Sequence, residues 1–358
     1  MLSKKIRKRL PELWQLEDIL DRSRLIVNEE TRIELDDLSL PIYSIEAKPF
    51  RKGLPTVIFT AGVHGIERIG SQVLLAYMDM LVTRAPWDKV LQHQLDALNI
   101  IFIPIVNPGG MYLNTRANPR GVDLMRNAPI EAENKVPFLG GGQRISSRLP
   151  WYCGDTEQGL EQESQILMQV VERYAQASPF TLTLDCHSGF GLRDHLWFPY
   201  AYRTRPIAVL DKLYALKLLL DRTYPHHDYV YEPQSLSYIT HGDLWDYIYK
   251  CHKRSMGSRS MERRSMSNVL LPLTLEMGSW NWIKKHPVQL LRFSGIFNPV
   301  VPHRQRRVLR RHLMLFDFLC SAAIANQSWI PKKKQRLQMH QAAKQFWYGQ
   351  TASGARSR

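Results

Sequence analysis

The sequence predicts an α/β protein in three layers, with helices on both faces of a mixed, mostly parallel central sheet. Four apolar runs are too short for core helices and are typical of buried strands. They are Thr56–Ala61, Asn99–Val106, Phe180–Asp185 and Leu270–Glu276. Helical patterns alternate with these runs, and such alternation favours parallel strands that are covered on both faces.

The predicted helices repeat apolar residues every three or four positions. Between the strands they cover Arg68–Val82, Leu160–Ala175, Pro206–Leu220 and Asp243–Lys250, and Arg304–Ala325 follows the last strand. Ahead of the first strand we expect a helix over Pro11–Ile26 and strands near Thr31–Leu35 and Tyr43–Ala47. We expect these two strands to pair as edge strands of the main sheet.

The composition is that of an ordinary globular protein. Hydrophobic residues make up 44% of the 358 residues and charged residues 23%, and no apolar run reaches the roughly 20 residues of a membrane-spanning helix. The N-terminus is cationic without an apolar stretch behind it, so we expect a cytoplasmic protein. Neither a phosphate-loop motif nor a G-x-S-x-G motif occurs, which argues against nucleotide and serine-hydrolase sites.

Positive charge is concentrated in the C-terminal part of the chain. The net charge is +15, and residues 281–358 hold fifteen Lys or Arg against a single acid, Asp317. We interpret this as a solvated basic face, with weak contact to an anionic surface as the alternative. No specific binding of nucleic acid is expected.

His64 and Glu67 lie where the first predicted strand gives way to a helix. A histidine and a glutamate three residues apart at such a turn can direct an imidazole and a carboxylate to one point. Zinc accepts both ligand types, and catalytic zinc sites use three protein ligands and keep one position open. The pair therefore predicts part of a metal site.

Three later strand ends carry further candidates. Arg116 and Arg126 follow the second strand, His187 ends the third, and Glu276 ends the fourth. Ligands of open α/β sheets bind at the carboxyl ends of the strands, so we expect these side chains to meet His64. Asp185 and Asp123 are candidates to orient the imidazoles.

In these residues the chain resembles the zinc carboxypeptidases, the carboxypeptidase A-like metallopeptidases. Their signature is H-x-x-E, an arginine-bearing loop that ends in G-V-D-x-N-R-N, a histidine after a strand and a glutamate after a late strand. Here the loop motif is Gly121–Asn127, and the resemblance spans about 56–276. It implies a catalytic domain over 51–328, which the predicted helix and edge strands of 1–50 precede. From the composition we expect a basic, weakly ordered tail over 329–358.

The resemblance also implies roles for single residues. His64, Glu67 and His187 would bind one zinc ion, Glu276 would be the general base, and Arg116 would polarise the scissile carbonyl. The substrate-binding set would comprise Arg126, which holds the terminal carboxylate, with Asn127, Tyr238 and Leu244. Leu244 at the floor of the pocket would favour an apolar terminal side chain, whereas Asp243 or Asp246 reaching in would favour a basic one.

One position departs from the signature and keeps alternatives open. Met125 stands where the family has an asparagine before the carboxylate-binding arginine, and a thioether cannot donate a hydrogen bond. The expected activity is hydrolysis of a C-terminal peptide bond by a zinc-activated water. The first alternative is an N-acyl amino-acid deacylase similar to succinylglutamate desuccinylase and aspartoacylase, and the second is a weakly catalytic scaffold that binds an anionic partner through its basic C-terminal region.

Overall fold

A mixed sheet of eight strands forms the centre of the protein in a computed structural model that describes residues 4–36, 38–257, 268–291 and 293–349. The strands are β1 (Ile26–Leu35), β2 (Leu38–Glu46), β3 (Thr56–Ala61), β4 (Asn99–Ile103), β5 (Phe180–Ser188), β6 (His195–Phe198), β7 (Val230–Pro233) and β8 (Val269–Met277). Their order in the sheet is β1-β2-β4-β3-β5-β8-β6-β7. The four central strands β4, β3, β5 and β8 are parallel, so their carboxyl ends meet at one edge of the sheet.

Antiparallel strands extend the sheet on both sides. On one side β2 pairs with β4 and β1 forms the edge, as the sequence predicts. On the other side β6 runs antiparallel to β8, and β7 pairs with β6 in parallel. The sheet is therefore mixed and mostly parallel, which confirms the predicted fold class.

Helices cover both faces of the sheet. They are α1 (Lys4–Arg9), α2 (Pro11–Asp21), α3 (Arg68–Arg84), α4 (Lys89–Ala97), α5 (Pro108–Leu113), α6 (Gln162–Ala177), α7 (Leu210–Thr223), α8 (Leu244–Gly257), α9 (Trp280–Lys285), α10 (Pro302–Ile324), α11 (Asn326–Trp329) and α12 (Lys333–Tyr348). The pair α3 and α10 packs on one face, and α6 and α8 pack on the other. None of the helices in the described ranges combines the length and the apolar character that crossing a membrane requires.

The core explains why the central strands are rich in apolar residues. Every residue of β3, β4 and β5 is buried. Phe59 of β3 contacts Tyr77 of α3 and Phe316 of α10, with ring centroids 5.6 and 4.6 Å apart. Strands that are covered on both faces favour apolar residues on both sides, and the buried polar residue Asp185 of β5 is satisfied by hydrogen bonds.

Two predicted boundaries at the ends of helices are wrong. The first long helix ends at Asp21 rather than Ile26, because the apolar residues that follow it begin β1 instead. The helix predicted over Asp243–Lys250 is longer than expected, since α8 continues to Gly257. Residues 258–267 lie outside the described residues.

The expectation of a weakly ordered C-terminal tail is also wrong for residues 333–348. They form α12, which packs against α7 and buries Ala343 and Trp347. The Trp347 indole nitrogen donates to the Tyr231 carbonyl at 2.9 Å, and its ring meets that of Phe198 edge-on at 4.9 Å. The many charged residues of α12 concealed a narrow apolar face. Residues 350–358 of the predicted tail lie outside the described part of the chain.

Candidate functional site

The loop after β3 carries His64 and Glu67 to the carboxyl edge of the sheet. Gly65 is required there, because a Cβ at this position would lie 2.1 Å from the carbonyl carbon of Gly110. Glu67 is the residue that precedes α3. Strand, tight loop and helix start therefore fix both side chains next to the end of the central strands, as the sequence predicts.

His187 and Glu276 come from neighbouring parallel strands and lie opposite each other. His187 of β5 pairs with Glu276 of β8 in the strand register. Residues opposite each other in a ladder point to the same face, so imidazole and carboxylate face the same space. The backbone nitrogen of Phe190 donates to Glu276 Oε1 at 3.0 Å and fixes the carboxylate.

His64, Glu67 and His187 form a candidate metal centre. Each offers a ligand atom, these atoms lie within 4.8 Å of one another, and all three residues are buried. His187 Nδ1 lies 3.2 Å from Glu67 Oε2, and the backbone nitrogen of Ser188 donates to the same oxygen at 2.9 Å. The structure thus brings together the three ligands that the sequence singled out.

Arg116, which follows β4, contacts this cluster through its guanidinium group. Its Nη1 donates to Glu67 Oε1 at 2.6 Å, its Nε donates to Asp123 Oδ2 at 2.9 Å, and its Nη2 lies 2.8 Å from His64 Nε2. The guanidinium therefore contacts the lone pairs of two candidate ligands, Glu67 and His64. The same lone pairs could bind a metal ion.

Asp185 orients the imidazole of His187 from behind. Its Oδ2 lies 2.6 Å from His187 Nε2, and the indole nitrogen of Trp245 donates to the same oxygen at 2.8 Å. Thr60 donates to Oδ1 at 2.9 Å. A carboxylate in this place fixes the ring and its tautomer, leaving Nδ1 to face Glu67. The predicted contact between Asp185 and His187 is confirmed, whereas the contribution of Trp245 carries no signal in the sequence.

The electrostatics differ between the two histidines. Burial, together with the charge of Arg116, lowers the pKa of His64 to about 3, so this imidazole is neutral. Burial opposes protonation of His187 as well, but Asp185 and Glu67 outweigh it and raise the pKa of that ring. Burial and the nearby charge of Glu67 raise the pKa of Glu276 to about 8.

The residues of the cluster fit a zinc ion. His64 Nδ1 is buried and has no hydrogen-bond partner among the described residues; it lies 3.7 Å from Asp123 Oδ1. Buried polar atoms are almost always paired, so an unpaired one at a cluster of ligand atoms indicates a binding site. Two imidazoles and one carboxylate are the donor set that catalytic zinc prefers.

Arg126 is buried near the cluster, and its Nε has no partner among the described residues. Its Nη1 donates to the Met125 carbonyl at 3.2 Å and its Nη2 to the Gly140 carbonyl at 3.4 Å. The Tyr238 ring lies 5.9 Å from the guanidinium, so these two predicted substrate-binding residues are neighbours.

Two other predicted substrate-binding residues are engaged elsewhere. The Asn127 side chain donates to the carbonyls of Cys153 and Gly159 and accepts from the backbone nitrogen of Glu161. Its hydrogen-bonding capacity is therefore used within the loops. Leu244 is fully buried in the apolar core, because it starts α8 and faces inward rather than lining a pocket.

Asp243, which precedes Leu244, carries a carboxylate oxygen without a partner. Its Oδ1 accepts from the backbone nitrogen of Asp246 at 2.9 Å, and its Oδ2 is buried and unpaired in the part of the chain that the structure describes. Burial raises the pKa of Asp243, and the charges of Arg126 and His187 counteract this increase. Asp243 therefore lies within electrostatic reach of the cluster.

Solved structures of carboxypeptidases share this fold. Thrombin activatable fibrinolysis inhibitor superposes with a TM-score of 0.63 at 17% identity, over 90% of this chain and 77% of that one. The carboxypeptidase A of Helicoverpa armigera superposes with a TM-score of 0.63 at 15% identity, over 88% of this chain and 71% of that one.

Sequence comparisons give the family. Mouse carboxypeptidase M is 34% identical over 96 residues, which are 24% of this chain and 22% of that protein. The match thus spans about a fifth of the length of this relative. The profile of the zinc carboxypeptidase family, a family of metallopeptidases, matches residues 37–268. Since this match covers well over half of the 358 residues, the chain belongs to the zinc carboxypeptidase family.

Proposed function

We propose that the protein is a zinc metallocarboxypeptidase that hydrolyses the C-terminal peptide bond of its substrates. The observation that carries the proposal is the buried cluster of His64, Glu67 and His187 next to Glu276. Family membership supports a peptide substrate and zinc as the metal.

In this proposal His64, Glu67 and His187 hold one zinc ion. When bound, zinc acts as a Lewis acid and lowers the pKa of water toward neutrality. Asp185 keeps the His187 ring in place through its 2.6 Å hydrogen bond. The low pKa of His64 keeps that imidazole neutral, which is the state in which it can act as a ligand.

Glu276 is the proposed general base and acid. It faces the cluster from the strand next to His187, and the backbone nitrogen of Phe190 holds one oxygen in place. A cation held at the cluster would offset the charge of Glu67 and lower the pKa of Glu276. The other oxygen, Oε2, could then take the proton of the attacking water and pass it to the leaving amine nitrogen. General acid–base catalysis of this kind contributes about a hundred- to ten-thousandfold in rate.

Arg116 and Arg126 are proposed to bind the charges of substrate and transition state. The Arg116 guanidinium already lies among Glu67, His64 and Asp123, so it can stabilise a negative carbonyl oxygen formed beside the cluster. The free Nε of Arg126 can donate to the terminal carboxylate. Charge-assisted hydrogen bonds from arginine suit both tasks because the guanidinium stays charged.

We further propose that basic C-terminal residues are preferred. Asp243 has an unpaired oxygen beside Arg126, and Asp246 also has a buried oxygen without a partner among the described residues. The pKa of each of these two carboxyls is raised, and burial is the main cause. A cationic side chain from a substrate would pair with them and stabilise their charged forms, which burial alone disfavours.

Mass spectrometry of the zinc-loaded protein tests the proposal. The panel contains peptides with free C-termini, the same peptides with amidated C-termini, and N-acyl amino acids. We expect loss of single residues from the free peptides only. Glu276→Gln should abolish this loss and still bind zinc, whereas Glu172→Gln, on α6 in contact with His252 and Ser255, should retain it. No turnover above the Glu276→Gln blank would refute the proposal.

Met125 favours one second candidate, an N-acyl amino-acid deacylase. A thioether replaces the amide that would help Arg126 to hold a terminal carboxylate, and both Nη atoms of that arginine are bonded to backbone carbonyls. The same cluster would then cleave an acyl group from an amino acid. Turnover of N-acyl amino acids without turnover of peptides would select this candidate.

A further inference from the structure

A basic cap borders the loops that carry the candidate metal ligands. We use this name for residues 279–291 and 293–311, which contain α9, two short 3-10 turns and the first turns of α10. The Ser188 hydroxyl donates to the Phe297 carbonyl at 2.7 Å, and the Asn298 side chain donates to the Ile66 carbonyl at 2.8 Å. Ser188 follows His187 and Ile66 precedes Glu67, so the cap packs directly against both loops.

The cap carries positive charge and no acid. Between Glu276 and Asp317 the sequence contains no Asp or Glu and eight basic residues, namely Lys284, Lys285, Arg292, Arg304, Arg306, Arg307, Arg310 and Arg311. The structure exposes Arg306, Arg307 and Arg310 on one stripe of α10. Among the described residues none of these three pairs with an acid or donates a hydrogen bond, whereas Arg311 pairs with Asp194. A stripe of such guanidinium groups is complementary in charge to an anionic surface.

Exposed apolar side chains occupy the same cap. Its exposed large apolar residues are Trp280, Val288, Leu290, Leu291 and Val300. Leu291 is 85% exposed and Val288 63% exposed. A nucleic acid or an acidic peptide would account for the arginines alone. A bilayer interface accounts for both groups, because Trp and Leu enter the headgroup boundary while Arg meets the phosphates.

The apolar and the cationic parts of the cap form one unit. Arg304 Nη1 donates to the Trp282 carbonyl at 3.2 Å, and its Nη2 donates to the Lys285 carbonyl at 3.2 Å. This ties the C-terminal end of α9 to the first turn of α10. The segment with the exposed apolar residues and the helix with the arginines are therefore held next to each other.

We propose that the basic cap docks on the surface of an anionic lipid bilayer. The guanidinium groups of Arg306, Arg307 and Arg310 bind lipid phosphates, and Val288 and Leu291 insert at the headgroup boundary. Docking would hold the candidate metal centre next to the membrane. The proposal rests on the cap alone and does not depend on the proposed peptidase activity.

Flotation with lipid vesicles tests this docking. Vesicles of phosphatidylcholine alone are compared with vesicles of equimolar phosphatidylcholine and phosphatidylserine. We expect the full chain to float with the mixed vesicles only. Each basic residue near an anionic surface contributes about fivefold in binding, so the triple variant Arg306→Gln, Arg307→Gln, Arg310→Gln should bind about a hundredfold more weakly. Replacing Val288 and Leu291 by Ser should weaken binding several-fold.

A second triple variant controls for net charge. Replacement of Lys332, Lys333 and Lys334 by Gln removes the same charge near the start of α12, beyond the far end of α10, and should leave vesicle binding within about twofold of wild type. Equal losses in the two triple variants would overturn the proposal, as would flotation with phosphatidylcholine alone. Binding of polyglutamate that depends on the three arginines, without vesicle binding, would overturn it in favour of an acidic peptide. Thermal unfolding of each variant verifies that it is folded.

Discussion

Asp185 offers a test of the candidate metal centre that does not require a known substrate. Asp185→Asn keeps the shape of the side chain but replaces one oxygen by a donor group. In the structure Asp185 accepts from Thr60 and Trp245 and lies 2.6 Å from His187 Nε2. An asparagine is uncharged and accepts through one atom only, so the hydrogen bond to His187 is either weakened by the loss of charge or replaced by an amide donor that faces the ring. We expect the His187 ring to lose its fixed orientation.

The expected loss of zinc affinity follows from these contacts. A hydrogen bond to a charged group stabilises by about 1.5–3 kcal/mol, and about 1.4 kcal/mol corresponds to a factor of ten in an equilibrium constant. Losing the bond between Asp185 and His187 should thus lower the affinity for zinc about 10- to 100-fold. This agrees with the range found when outer carboxylates of zinc-bound histidines are removed.

The assay is a competition titration of the purified protein against a chromophoric zinc chelator, with wild type and Asp185→Asn measured in parallel. Asp211→Asn is the matched control, because Asp211 is also buried but pairs with Lys212 of its own helix α7 and with Arg336 of α12. We expect the control to bind zinc like wild type. Equal zinc affinities of wild type and Asp185→Asn would refute the assignment of His187 as a ligand supported by Asp185.

Three further predictions concern stability and specificity. Burial lowers the pKa of His312, which lies beside Asp194, from 6.5 to about 4. Between pH 6.5 and pH 4 the unfolded chain therefore binds a proton at this residue and the folded chain does not. As the pH falls through this range, wild type should lose about 3 kcal/mol of unfolding free energy, and His312→Gln should not. Urea melts across this window measure the difference, and identical pH profiles would contradict it. Trp347→Ala should lower the free energy of unfolding by about 3–5 kcal/mol in denaturant melts, since it removes a buried indole that bonds Tyr231; an unchanged midpoint would mean that α12 does not stabilise the fold. Asp243→Asn should reduce kcat/KM for peptides ending in Lys or Arg at least about tenfold relative to peptides ending in Leu. Competition between the two kinds of peptide measures this ratio of kcat/KM values, and an unchanged ratio would show that Asp243 does not pair with the substrate side chain.

The sheet was predictable where burial dictates the residues. The strand Thr56–Ala61 has the predicted bounds, and Leu270–Glu276 differs by one residue at each end, because strands covered on both faces leave a continuous apolar run. β6 was not predicted. Its four residues, His195–Phe198, are too few to establish a period, and their pairing with β8 is a contact that the sequence does not record.

The site residues that follow directly from the order of strands along the chain could be predicted. His64, Glu67 and His187 meet because parallel strands bring their carboxyl ends together. The placement of Asp185 followed from the alternation of side chains along a strand. The use of Asn127 within loops and the burial of Leu244 depend on how loops fold back, which no local pattern specifies.

Because His187 and Glu276 are paired on adjacent strands, the distance between their backbones is set by the spacing of strands in the sheet. Adjacent strands lie about 4.8 Å apart in any sheet, so the separation of the two backbones is independent of the loops around them. Loops can be lengthened or exchanged to suit a different substrate while imidazole and carboxylate stay at a constant separation. A slip of β8 by one residue, in contrast, would present Leu275 or Met277 at this position and turn the carboxylate toward the opposite layer.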